Sequence, residues 1–166
     1  KSYAANILSN IVKNTTGGAN DGDGILLRTS RDTLIDGNTI LDSSDEGIFA
    51  TGQVDGLRIT NNLINGTGVG TSDTGNGIEL FQAKGDTTIT GNTVNNAGYQ
   101  GIWVKDPSLE SSFVVDGNTV LDSAKGGISV ERNALSVSGN RIKRSGGTGL
   151  HVNNSENVLI AGNLVR

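Results

Sequence analysis

The sequence predicts an all-β fold, a parallel β-helix (solenoid) of about six coils with three short strands in each coil. The tetrapeptide Gly37-Asn38-Thr39-Ile40 returns in altered form along the chain, and a second unit of glycine followed by isoleucine or leucine alternates with it. The composition agrees, because 25 glycines and many Asn, Thr, Ser, Val and Ile residues suit short strands joined by tight turns. We expect one β-helix domain over residues 1–166, as a segment of a larger protein.

The asparagine of the tetrapeptide marks one corner of every predicted coil. Its spacing varies between 22 and 30 residues, which is the period of a solenoid in which each repeat forms one turn. The recurring positions are Asn10, Asn38, Asn62, Asn92, Asn118, Asn140 and Asn163. A glycine or asparagine precedes most of them and suits the left-handed backbone of a tight corner. We expect these asparagines to point inward and to bond to one another, a structural role rather than a catalytic one.

Two further segments complete each coil. An apolar residue stands three positions before each asparagine, and the glycine unit that follows begins an alternating strand. The first inward ladder predicted for that strand is Ile25, Ile48, Ile78, Ile102, Ile128 and Leu150. Because aromatic residues make up only 4% of the chain, we expect the core to consist of aliphatic stacks.

The composition also excludes several classes of protein. Without cysteine there is no disulfide framework and no cysteine-based metal site. No apolar run reaches the roughly 18 residues that a membrane span requires. The net charge of −4 argues against nucleic acid such as DNA, or a polyanionic surface, as a partner.

The cycle Asn-x-Ile, Gly-Ile-x-Val and x-Val-x-Ile-x-Gly-Asn resembles the right-handed parallel β-helix repeat of the pectate-lyase-like superfamily, from Ala5 to Val165. That superfamily includes pectate and alginate lyases, alginate C5-epimerases, polygalacturonases, phage tailspikes and bacterial adhesins. The resemblance implies an extracellular or cell-surface protein that binds an extended acidic polysaccharide. The sheet of Gly-Ile strands, the first of the three in that family, would line the substrate groove.

The catalytic motifs of the superfamily are not matched. The segment Gly101-Ile102-Trp103-Val104-Lys105-Asp106-Pro107-Ser108 resembles the Asp-Pro-His segment of alginate C5-epimerases, but Ser108 stands in place of the histidine. Gly149-Leu150-His151 differs from the Gly-His-Gly of polygalacturonases. No catalytic residue is therefore carried over from the resemblance.

Departures from the repeat indicate where a functional site lies. The interval from asparagine to the next glycine is nine residues in four coils, but 14 after Asn10 and 15 after Asn62. The two insertions, residues 14–23 and 65–76, fall in the same turn and leave the same edge of the solenoid. A third extension, residues 106–112, leaves the opposite end of a Gly-Ile strand. Together we expect them to wall a shallow trough.

The floor of this trough would be the outward residues of the Gly-Ile strands. Alternation predicts two columns, one of Leu26, Phe49, Glu79, Trp103, Ser129 and His151, the other of Arg28, Thr51, Phe81, Lys105, Glu131 and Asn153. Exposed aromatic rings among polar groups suit a sugar-binding surface, because rings stack on pyranose faces while polar groups bind hydroxyls. The candidate substrate-binding residues are Trp103, Phe49, Phe81, Arg28, Glu131 and Gln100. The alternative is that the insertions cover the aromatic rings, which then serve only in packing.

Four residues are candidates for catalysis. Lyase and epimerase chemistry requires a cation that neutralises a uronate carboxylate, a role for Lys105 and Arg28, with Tyr99 as a nearby proton donor. Glu79 would pair with Glu131 as in an inverting glycosidase, unless Glu131 forms a cross-strand ion pair with Lys105. His151 would act as a general base, or else is a solvated surface histidine.

One segment resembles the start of an aspartate-rich calcium loop, Asn20-Asp21-Gly22-Asp23-Gly24. Carboxylate oxygens suit Ca²⁺, so Asp21 and Asp23 are candidate ligands. The alternative is ordinary turn chemistry, because Asp-Gly is common in turns and no glutamate follows at EF-hand spacing.

Two functions fit these observations. The first is an extracellular β-helix that binds an extended acidic polysaccharide and processes it by lyase or epimerase chemistry. The second is a non-catalytic structural or adhesive β-helix segment of a surface adhesin, a phage spike or an engineered fragment. We also expect the ends of the helix to associate end to end or to meet flanking domains of the same polypeptide, because open sheet edges invite pairing.

Overall fold

The chain winds into three parallel sheets in a computed structural model that describes residues 4–17, 21–68, 75–105, 112–131 and 135–166. Strands are numbered along the chain and pair only with the equivalent strand of the coil before or after. This confirms the predicted parallel β-helix with three strands per coil. The described residues contain no helix, and therefore none that could span a membrane.

Each sheet collects one strand from every coil. Sheet A contains β1 (Asn6–Leu8), β4 (Leu34–Asp36), β7 (Leu57–Thr60), β10 (Thr87–Thr90), β13 (Phe113–Asp116), β16 (Leu135–Ser138) and β19 (Leu159–Ala161). Sheet B contains β2 (Ile11–Lys13), β5 (Thr39–Ser43), β8 (Leu63–Thr67), β11 (Thr93–Ala97), β14 (Thr119–Leu121), β17 (Arg141–Lys143) and β20 (Leu164–Val165). Sheet C, built from the Gly-Ile strands, contains β3 (Ile25–Arg31), β6 (Ile48–Asp55), β9 (Ile78–Phe81), β12 (Gln100–Lys105), β15 (Gly126–Glu131) and β18 (Leu150–Asn153).

The core is a set of stacked aliphatic columns, as predicted. In sheet C, Ile78 lies in register between Ile48 and Ile102, and all three are fully buried. One aromatic side chain departs from the expectation of an aliphatic core. Phe113 is only 1% exposed and lies in register between Thr87 and Leu135 in sheet A.

The corner asparagines are joined by hydrogen bonds from coil to coil. The side-chain amide of Asn62 donates to Oδ1 of Asn92 (2.9 Å), and the amide of Asn92 donates to Oδ1 of Asn118 (3.0 Å). The same bond links the other neighbours from Asn10 to Asn163. Each Oδ1 also accepts the backbone N–H of the preceding asparagine, as Asn92 does from Asn62 (2.9 Å). The column therefore satisfies main-chain as well as side-chain groups.

Glycines serve two different purposes in each coil. At the start of the sheet C strands the coils pack too closely for a side chain: a Cβ on Gly77 would lie 2.5 Å from the carbonyl oxygen of Gly101. Before the corner asparagine the reason is conformational, because Gly117 has φ +63° and open space where a Cβ would be. Asn61 occupies the equivalent place two coils earlier and has φ 54°.

Candidate functional site

The outward face of sheet C carries the two predicted columns in register. Glu79 pairs with Phe49 on one side and Trp103 on the other, and Ser129 and His151 continue this column. Phe81, Lys105 and Glu131 form the second column in the same way. Successive strands lie about 4.8 Å apart, so an extended ligand along the solenoid axis would meet one member of each column per coil.

Aromatic rings and one lysine cluster at the middle of this face. The rings of Tyr99 and Trp103 have centroids 5.7 Å apart and planes inclined by 47°. The Nζ atom of Lys105 lies 4.8 Å from the Trp103 ring centroid and 5.9 Å from that of Phe81. All four side chains are half-buried. The cluster therefore presents flat apolar faces and a positive charge that is attracted to the rings.

A group of acidic side chains lies beside the aromatic cluster, at the end where the sheet C strands begin. Side-chain oxygens of Asp23, Asp45 and Glu46 lie within 4.8 Å of one another. Asp45 is 2% exposed and Glu46 is 6% exposed. Glu79 adjoins them through Asn76, whose amide donates to Glu79 Oε2 (2.6 Å) and, at 3.4 Å, to Glu46 Oε1. We call Asp23, Asp45, Glu46 and Glu79 the acidic cluster.

Burial and mutual repulsion raise the pKa values of three carboxyls, those of Asp23, Glu46 and Glu79. The pKa of Glu46 rises to about 9, first because burial disfavours its charge, and then because it shares a hydrogen bond with Asp23 and faces the charges of Asp45, Glu79 and Asp23. Burial also raises the pKa of Asp23 and of Glu79. For Glu79, the hydrogen bond from Asn76 and the charge of Lys105 oppose this rise.

Several oxygens in the acidic cluster have no hydrogen-bond partner among the described residues. They are both carboxylate oxygens of Asp45 and Oδ2 of Asp23. Oδ1 of Asp23 accepts a long bond of 3.3 Å from the backbone N–H of Glu46. Buried carboxylate oxygens without partners are costly and rare in folded proteins.

The acidic cluster lies where the two insertions end. Asp23 is the last residue of the first insertion, Asn76 is the last residue of the second, and Asp45 and Glu46 belong to the coil between them. Residues 18–20 and 69–74 of the insertions, and residues 106–111 of the third extension, lie outside the described residues. The predicted walls of the trough therefore remain a prediction.

The other candidate residues are dispersed. His151 is exposed, and its Nδ1 lies 3.3 Å from the Ser129 hydroxyl. Arg28 is exposed, and its positive charge lowers the pKa of Asp23 against the rise caused by burial. Phe49 is half-buried between Leu26 and Glu79 in its column. Asp21 is exposed and does not belong to the acidic group that contains Asp23.

One candidate pairing is not formed. Among the described residues there is no ion pair between Lys105 and Glu131, although the two are in register, because the lysine lies over the aromatic rings. Glu79 associates with Asn76 and Glu46 on the insertion side, and its pairing with Glu131 across an intervening water stays a prediction. Gln100 uses its backbone N–H to bond Oδ1 of Asn76 (3.1 Å).

Sequence reasoning did not single out Asp45, and it placed Glu46 on the floor of the trough only as the residue before Gly47. Both lie in the turn before Gly47, where alternation of buried and exposed residues no longer applies. One signal was available, because Asp45-Glu46 is the only pair of adjacent acidic residues in the sequence and lies in the coil between the insertions.

Comparisons with known proteins agree on the fold. The family model described as "Right handed beta helix region" matches residues 2–165. A crystal structure of the periplasmic alginate epimerase AlgG superposes with a TM-score of 0.79 at 16% identity, covering 97% of this chain and 39% of that one. A double mutant of AlgG gives a TM-score of 0.77 at 15% identity, covering 99% of this chain and 44% of that one.

The chain thus spans less than half the length of these epimerase structures. At this identity the likeness shows the right-handed β-helix fold alone. No curated protein matches the chain in a sequence comparison.

Proposed function

The chain belongs to the right-handed β-helix family, and from this premise we propose that it binds an extended acidic polysaccharide along the outward face of sheet C. The observation that carries the proposal is the cluster of Tyr99, Trp103, Lys105 and Phe81. Half-buried rings on a flat sheet suit the apolar faces of sugar rings, and the Lys105 ammonium suits a uronate carboxylate. The AlgG structures, whose titles name an alginate epimerase, support the same class of ligand.

We further propose that the bound polymer is processed by removal of a proton next to its carboxylate, as lyases and epimerases do. Glu79 precedes Trp103 in the same column and is the nearer candidate base for removing the proton, whereas His151 lies two strands away on the other side. Lys105 would neutralise the carboxylate, and Tyr99 would donate a proton to the leaving glycosidic oxygen in a lyase or to the deprotonated carbon in an epimerase. Lys105 and Tyr99 both lie beside the ring of Trp103.

The alternative is a structural or adhesive β-helix segment without catalysis. One observation favours it: His151 contacts a serine and lies apart from the other three candidate catalytic residues. Binding and processing are therefore tested separately.

Replacing Trp103 with alanine is expected to weaken polyuronate binding by about tenfold or more, since central aromatic contacts dominate binding energies. Isothermal titration calorimetry with alginate and polygalacturonate measures this directly. The matched control is Leu63→Ala, which removes an exposed apolar side chain from sheet B and should leave binding unchanged. Equal affinities for the wild type and Trp103→Ala would contradict the proposed surface.

Replacing Lys105 with glutamine separates charge recognition from stacking. We expect weaker binding of polyuronates and a smaller dependence of affinity on salt, with binding of neutral glycans unchanged. Lys13→Gln on sheet B is the control for the loss of one exposed positive charge. The fluorescence of Trp103, the only tryptophan, provides a second readout on the wild type and on both lysine variants.

Processing is tested on the wild type with the same polymers. A lyase produces an unsaturated sugar that absorbs ultraviolet light, and an epimerase changes the uronate composition seen by NMR. If the polymers bind tightly but neither product forms, the structural or adhesive alternative is favoured.

Location and partners follow from the proposed ligand. We propose that the protein acts outside the cytoplasm, where acidic polysaccharides are found, and cell fractionation tests this.

The apolar side chains at the ends of the stack, such as Ile11 at 70% exposure and Leu159 at 58%, support end-to-end association or cover by flanking domains. We expect light scattering to detect species larger than the 17.1 kDa monomer at high concentration. If the protein stays monomeric at every concentration, flanking domains of the same polypeptide remain as the proposed cover for these apolar side chains.

A further inference from the structure

We infer that Asp23, Asp45 and Glu46 form a binding site for Ca²⁺ at the place where the first insertion rejoins the solenoid. The site is separate from the aromatic cluster and does not depend on the proposed function. It is argued from the spacing of the three carboxylates, from buried oxygens without partners and from the absence of a neutralising cation in contact.

The spacing fits a large, hard cation. Ca²⁺ binds oxygens at about 2.3–2.6 Å, so two ligands on opposite sides of the ion are about 4.6–5.2 Å apart. The three side chains each offer an oxygen, and these lie within 4.8 Å of one another. Mg²⁺ demands near-ideal octahedral geometry and gives up its bound water reluctantly, so a set of buried protein carboxylates suits it less well. No cysteine is present and the cluster contains no histidine, so the donor set is all oxygen, as Ca²⁺ prefers.

Asp45 provides the second and independent observation. Its side chain is 98% buried, given an exposure of 2%, yet neither of its carboxylate oxygens has a hydrogen-bond partner among the described residues. Oδ2 of Asp23 is in the same condition. The Ser43 hydroxyl, two residues before Asp45, is also buried without a partner, whereas the amide of Asn76 is satisfied by Glu79. Asp45 belongs to the group of three closely spaced carboxyls, so its two buried oxygens without partners indicate a missing positive charge there.

The described side chains do not supply that charge. The charge of Arg28 lowers the pKa of Asp23, and the charge of Lys105 lowers that of Glu79, each against the larger rise caused by burial. Within the described ranges, however, neither cation forms an ion pair with the three carboxylates. A divalent cation would neutralise the repulsion between them and occupy the oxygens without partners. It would also join Asp23, at the end of the first insertion, to the coil that carries Asp45 and Glu46.

The test is a calcium titration of the full chain after removal of metals with EDTA, in the absence of polysaccharide. Calorimetry is expected to show one Ca²⁺ per chain, with Mg²⁺ binding at least about tenfold more weakly. At a Ca²⁺ concentration 100 times the Kd, the melting temperature is expected to rise by about 5–10 °C. No heat of binding and no change in melting temperature at millimolar Ca²⁺ would overturn the proposal.

Two variants locate the ion. Asp45→Asn and Glu46→Gln are each expected to weaken Ca²⁺ binding by at least about tenfold. In EDTA neither should melt lower than the wild type, because Asp45→Asn removes a buried carboxylate without partners and Glu46→Gln keeps a side chain of the same size that can donate a hydrogen bond to Asp23. Asp42→Asn is the matched control, since it removes one exposed carboxylate from the same coil and should bind Ca²⁺ like the wild type. Wild-type affinity in both cluster variants would place the ion elsewhere and overturn the assignment. If one variant does not fold, the other decides.

Discussion

Replacing Asn92 with alanine is expected to lower the free energy of unfolding by about 3–5 kcal/mol. Oδ1 of Asn92 is the acceptor for the backbone N–H of Asn62, and its amide donates to the carbonyl oxygen of Ile59 (2.9 Å). The variant leaves both buried groups without these partners, at a cost of about 1–3 kcal/mol each. It also breaks the side-chain bonds to Asn62 and Asn118. Because whole domains are stable by only about 5–15 kcal/mol, this is a large fraction of the total.

Urea denaturation followed by circular dichroism measures the effect of Asn92→Ala. The control is Asn65→Ala, in which the lost partner is the exposed amide of Asn96 (2.8 Å). That change should cost no more than about 0.5 kcal/mol. If Asn92→Ala were as stable as Asn65→Ala, the hydrogen bonds of the corner column would not contribute to stability.

Replacing Gly77 with alanine is expected to cost about 3 kcal/mol or more, at the upper end of what overpacking usually costs. The new methyl group would overlap a Cγ atom of Val94 and lie 2.5 Å from the carbonyl oxygen of Gly101. Val94 is fully buried, and the carbonyl belongs to the backbone of the next coil. Since neither the buried valine nor the backbone carbonyl can move away from the methyl group, the distance between the two coils would have to increase.

A matched glycine distinguishes this steric effect from loss of backbone freedom. Gly117 has φ +63° with nothing within 4 Å of an added Cβ, and asparagine already occupies the equivalent place at Asn61. Gly117→Asn should therefore change stability by less than about 1 kcal/mol. Equal midpoints of urea denaturation for Gly77→Ala and Gly117→Asn would show that close packing between coils is not the reason for Gly77.

Much of the fold could be predicted because the sequence repeat determines both the register between strands and which side chains point inward. Once Asn92 is aligned with Asn118, alternation places Ile102 inward and Trp103 outward, and the register agrees. Alternation also places Phe113 inward, because it lies two residues before the buried Val115 on the same strand. The expectation of a purely aliphatic core came from composition, which does not locate individual rings.

The candidate site was less predictable for a physical reason. Trp103 and Lys105 follow from alternation along one strand, but their contact depends on the direction that the lysine side chain takes. Asp45 and Glu46 lie in a turn, and their closeness to Asp23 depends on the path by which the first insertion rejoins the coil. Strand periodicity carries no information about that path.

The corner column also gives the solenoid a direction. Every side-chain amide from Asn10 to Asn140 donates toward the following coil, so the amide dipoles add along the axis instead of cancelling. A coil or second copy that extends the column beyond Asn163 must offer it an acceptor oxygen, and one that extends it beyond Asn10 must offer an N–H. Two identical ends placed face to face cannot meet both demands. Any association that continues the column is therefore head to tail, a heterologous arrangement that builds open filaments and not closed two-fold dimers.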